Sequence, residues 1–106
     1  MPQLSPEALD EALHGRRVMA LFHATWCPYC RTFAPVFRQA AAPAGYAPLE
    51  IVIDDDDDPL WERYAIQLVP TVLFFEEGKV IQRLDGRPGV GLTEPLLRQA
   101  IAGRAG

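Results

Sequence analysis

The chain has 106 residues, of which 49% are apolar and 23% charged, and carries a net charge of −4. Those proportions fit one globular domain over residues 1–106, large enough to bury a core without covalent staples. They argue against nucleic acid as a partner, since no basic cluster extends beyond Arg16-Arg17, and against a membrane span, since no apolar run reaches ~20 residues.

The first segment, Met1 to Leu13, is acidic and helical in pattern, not basic then apolar as a secretory leader would be. A cytoplasmic monomer is therefore expected, or a periplasmic protein if a leader has been removed. Ser5 is placed to cap this helix, with Pro6 at its first position, Leu9, Ala12 and Leu13 on one face, and Gly15 ending it. Val18 to Phe22 is a continuous apolar run, as in a strand covered on both faces. A second helix follows Cys27-Pro28-Tyr29-Cys30, with Phe33, Val36, Phe37, Ala40 and Ala41 recurring at helical spacing.

Leu49 to Ile53 reads as a second strand. The five aspartates Asp54 to Asp58 come next, and Asp58 can cap a short helix that opens with Pro59 and runs through Tyr64. The other aspartates read as a solvated acidic loop, because the spaced ligand pattern of a calcium site is absent. Thr71 to Phe75 and Val80 to Leu84 form a predicted hairpin around Glu76-Glu77-Gly78-Lys79. A loop from Asp85 to Gly91 leads to Thr93, the cap of a last helix carrying Leu96, Leu97, Ala100 and Ile101. The order α-β-α-β-α-β-β-α implies parallel pairing through helices and an antiparallel closing pair.

The chemistry-bearing feature is the pair Cys27 and Cys30. A disulfide three positions long closes too small a loop to constrain the unfolded chain much, so a purely structural role is the weaker reading. At a helix start, the Cys27 sulfur meets unpaired N–H groups and the positive dipole end, which favour the thiolate that attacks disulfides. Cys30 lies one turn further, on the expected face of Phe33, Ala34 and Phe37. It should be the more sheltered thiol, suited to resolve a mixed disulfide. Pro28 has its backbone pre-set for a first helical turn. Three alternatives compete: two small buried hydrophobes, a zinc site lacking ligands beyond His14 and His23, and an iron–sulfur cluster bridging two chains.

Ala24-Thr25-Trp26-Cys27-Pro28-Tyr29-Cys30 resembles the active-site motif of the thioredoxin-like family, and the resemblance runs from about Leu4 to Ile101. Pro35 falls where that family's long helix carries a proline. Val69-Pro70-Thr71 stands where it carries a cis-proline facing the dithiol, and Gly78 and Gly86 follow at its spacings. The resemblance implies a thioredoxin fold: a central mixed four-stranded sheet flanked by helices, with an extra N-terminal helix. It implies a thiol–disulfide oxidoreductase acting on protein disulfides and recharged by a reductase or electron donor, with no bound cofactor because the cysteines carry the electrons. Cys27 would be the nucleophile and Cys30 the resolving thiol. Trp26, Val69, Pro70 and Gly86 would form the substrate surface, with Pro28 and Tyr29 supporting the site.

The departures matter as much. Thioredoxins proper carry a buried aspartate and a nearby lysine where this chain has Leu21 and Glu50. Glu50, or water near it, is a candidate substitute base for Cys30 if desolvation raises its carboxyl; an exposed strand-end glutamate is the alternative. His23 occupies a position that is often aromatic in the family and, when protonated, would favour the thiolate; a core histidine is the alternative. Pro-Tyr between the cysteines resembles the glutaredoxin pattern, which implies a couple less reducing than the about −270 mV of thioredoxin. A redox-sensing adaptor with little turnover and a glutathione-dependent enzyme remain competing readings.

Overall fold

The computed structural model describes residues 6–41 and 43–105. The expected Ser5 cap lies outside them. The elements are α1 (Pro6–Leu13), β1 (Arg17–His23), α2 (Pro28–Ala41), β2 (Ala47–Val52), α3 (Pro59–Arg63), β3 (Thr71–Glu76), β4 (Lys79–Leu84) and α4 (Glu94–Ala105). The four strands form one sheet in the order β2-β1-β3-β4. β1 and β2 run parallel, and β1–β3 and β3–β4 are antiparallel. The mixed four-stranded sheet flanked by helices is that of a thioredoxin fold.

The central strands are apolar throughout because both their faces are covered. On one face Val18, Ala20 and Phe22 of β1 and Leu73 and Phe75 of β3 pack with Leu9 and Leu13 of α1 and Leu60 of α3. On the other, Met19, Leu21, Val72 and Phe74 pack with Phe33 and Phe37 of α2 and Leu97 of α4. The hairpin turns through Glu77 and Gly78, both at positive φ, as a two-residue connection between right-twisted strands requires. Asp58 caps α3 as its position suggested, its carboxylate accepting from the Leu60 N–H at 2.9 Å. The C-terminal ends of β1 and β2, the start of α2 and the start of β3 thus meet at one edge of the molecule, where the cysteines sit.

Candidate active site

Cys27 directly precedes α2, and its carbonyl accepts the Arg31 N–H at 3.3 Å, so it is the N-cap residue with Pro28 at the first helical position. The turn from β1 into the helix is tightened by the Cys27 N–H donating to the Ala24 carbonyl at 3.3 Å. Asp54, just after β2, fastens that turn from the side. Its carboxylate accepts from the Thr25 N–H and hydroxyl, each at 2.7 Å, and its carbonyl accepts the Trp26 indole N–H at 3.0 Å. The two Thr25 bonds hold the Asp54 carboxyl below the ordinary carboxylate range. The Asp54 role was not legible in a run of five aspartates; the only signal was its place at a strand end, level with the motif.

The Cys27 thiol donates to the Val69 carbonyl at 3.6 Å, and the Val69–Pro70 peptide bond that follows is cis. Thr71 organises this segment. Its buried hydroxyl donates to the Leu68 carbonyl at 2.6 Å and accepts the Gly86 N–H at 3.3 Å, tying the loop before β3 to the loop after β4. A Cβ on Gly86 would stand 2.5 Å from the Pro70 carbonyl oxygen, so only glycine allows this approach. Tyr29 packs against Gly91 of the same loop. Around the dithiol, Trp26 is 54%, Tyr29 44%, Leu68 40% and Val90 49% exposed, a group of uncovered apolar side chains on neighbouring segments.

Two expectations need correction. Cys30, at 1% exposure, is the more sheltered thiol as expected, but Cys27 is not an exposed sulfur: it is only 4% exposed, beside the Val69 carbonyl. Cys30 lies on the buried side of α2 with Phe33, Ala34 and Phe37, as expected, and also packs with Cys27, Ala24, Ile66 and Val69. Glu50 is not a desolvated base. Arg38 of α2 grips it with two bonds of 2.7 Å, and that ion pair holds its carboxyl below the usual range.

Burial pushes the Cys30 thiol up to about 12, with the adjoining Cys27 adding to the effect and a backbone hydrogen bond from Ala24 opposing it. His23, at the end of β1, moves the other way. Burial lowers its pKa, and Arg38 lowers it further against the opposite pull of Glu50 and Asp54. The protonated imidazole expected to favour a thiolate is thus disfavoured. His23 and Cys30 both line a cleft of about 400 Å³, together with Thr25, Ala34, Pro35 and Arg38. Among the described residues, no three His, Cys, Asp or Glu side chains converge as metal ligands.

The sequence matches the family model described as Thioredoxin over residues 1–96. The chain belongs to the thioredoxin family. It is 31% identical to Thioredoxin-1 of Caenorhabditis elegans over 83% of its own length and 73% of that protein. It is 30% identical to a thioredoxin of Chlamydia pneumoniae, covering 78% of this chain and 81% of that one. The solved thioredoxin of Malassezia sympodialis superposes with a TM-score of 0.73 at 28% identity, over 96% of this chain and 87% of that chain. Thioredoxin-family membership, with two cysteines three positions apart at a helix start, makes the chain a thiol–disulfide oxidoreductase in general terms. No described helix is long and apolar enough to cross a membrane.

Proposed function

We propose that the protein exchanges its Cys27/Cys30 dithiol with disulfides of partner proteins. Cys27 attacks, Cys30 resolves the mixed disulfide, and a separate reductase or electron donor restores the dithiol. The observation that supports this most directly is the Cys27 sulfur at the N-cap of a 14-residue helix, beside the Val69 carbonyl and one turn from a second thiol. Aligned N–H groups at a helix start stabilise the charge that develops on an attacking sulfur. The partner's extended chain pairs with the backbone of Val69, a form of strand addition that reads little sequence, while Trp26, Tyr29 and the Pro70 segment supply an apolar bed. For Cys27 to be reached, the partner displaces the thiol's bond to the Val69 carbonyl and takes that carbonyl for itself.

The test is insulin reduction driven by dithiothreitol. Turnover is expected from the wild type and is lost in Cys27→Ser. No turnover in the wild type would favour an adaptor that binds without exchanging, and activity only with glutathione as reductant would favour a glutathione-dependent enzyme. Equilibration of the Cys27–Cys30 couple with glutathione should place it above the about −270 mV of thioredoxin, toward the about −200 to −230 mV of glutaredoxins.

A further inference from the structure

We propose that His23 takes the proton from Cys30, through water in the cleft both residues line, when Cys30 resolves the mixed disulfide. The proposal rests on the dithiol-exchange reading above and names the base it leaves unassigned.

Such a base is required. In the mixed disulfide Cys27 is capped, so its own contribution to raising the Cys30 thiol disappears, but burial remains, and burial alone is the largest cause of the shift. A thiol at 1% exposure, pushed up to about 12 by burial, does not ionise at neutral pH unaided. Leu21 is fully buried among Phe33, Phe37 and Phe74 and offers no acid, and Glu50 is engaged by Arg38. His23 follows Leu21 by two positions on β1 and so projects from the same face of the sheet, one step nearer the edge where the cysteines lie. Its Nε2 is buried and has no hydrogen-bond partner among the described residues, so the tautomer protonated at Nδ1 presents a lone pair there that can accept. The charged groups around it are Arg38 and Arg31 of α2, Glu50 of β2 and Asp54 after β2. Burial and Arg38 keep the imidazole neutral at pH 7, the form able to accept.

The step balances. The Cys30 S–H bond breaks and its proton passes through water to Nε2. The Cys30 thiolate forms a bond to the Cys27 sulfur as the bond from Cys27 to the substrate sulfur breaks. The electron pair leaves on the substrate cysteine, which is reduced and takes a proton from solvent. Cys27 and Cys30 end as an oxidised pair, and His23 returns its proton to the cleft.

Reduced protein mixed with dithiobis(nitrobenzoate) gives two chromophore releases, the first from Cys27 attack and the second from Cys30 resolution. The second phase of the wild type should rise through an ionisation below the ordinary histidine value of about 6.5. In His23→Gln that inflection should vanish and the second phase slow by about 10²-fold relative to the first. Free imidazole should restore part of the rate in His23→Ala. An unchanged second phase in His23→Gln, equal slowing of both phases, or a wild-type second phase without the inflection would each overturn the assignment. A wild type without any first phase would instead remove the dithiol-exchange reading itself.

Discussion

Arg38 and Glu50 show how a residue's chemistry is decided by its partner. Glu50 sits opposite Leu21 in the β1–β2 register, and alone it would be a half-desolvated carboxylate with a raised pKa. The guanidinium of Arg38 reverses the sign. A carboxyl whose folded pKa is lowered contributes stability that is present above its ordinary value of 4.5 and is lost as pH falls through the lowered one. Glu50→Gln is therefore expected to unfold at a lower temperature than wild type at pH 7, with the gap closing as pH falls below about 4. A gap independent of pH would show that the pair contributes through packing alone. The pairing was hidden in the sequence because Arg38 and Glu50 lie 12 positions apart on different elements, and spacing along a chain reveals partners only within one helix or strand. The same holds for the reach of Asp54 to Thr25, 29 positions away.

Elements were more legible than the contacts between them. Continuous apolar runs marked β1 and β3, helical spacing marked α2, and Asp58-Pro59 marked the start of α3, because each signal is local. What one helical period cannot reveal is which distant segment closes over a first turn, so the spacing carries no sign that Val69 covers Cys27. The loop from Asp85 to Gly91 was expected near the dithiol, but not its direct contact with the motif. Gly91 has φ +71°, and a Cβ there would lie 2.7 Å from the Tyr29 Cβ. Gly91→Ala thus meets both backbone strain and a clash with the Tyr29 side chain at the helix start. Each is a cost of order 1–3 kcal/mol, so the variant should be destabilised by at least about 1 kcal/mol. It should also change the accessibility of Tyr29, which is read by the solvent exposure of that ring in NMR. Wild-type stability with an unmoved Tyr29 would mean that the loop is free to slide.

At the scale of the whole molecule, the two apolar clusters lie on opposite faces of one sheet and share its strands. Only one of them holds the cysteines. Phe74 belongs to the other, fully buried between β1 and the helices α2 and α4, with Tyr46 set edge-on at 5.4 Å between ring centres. Its neighbours on β3, Leu73 and Phe75, point into the cysteine-bearing cluster. A strand that carries side chains of both clusters cannot loosen on one side and stay ordered on the other, so the two faces should melt as a unit. Phe74→Ala removes a large buried ring and is expected to cost about 3–5 kcal/mol, a substantial part of the total for a domain of this size. The dithiol, which packs in the other cluster, should report that loss in full. In urea, labelling of the buried Cys30 and the fluorescence of Trp26 and Trp61 should shift to the same lower midpoint. Labelling that kept its wild-type midpoint while fluorescence moved would show that the active-site face is held independently of the sheet.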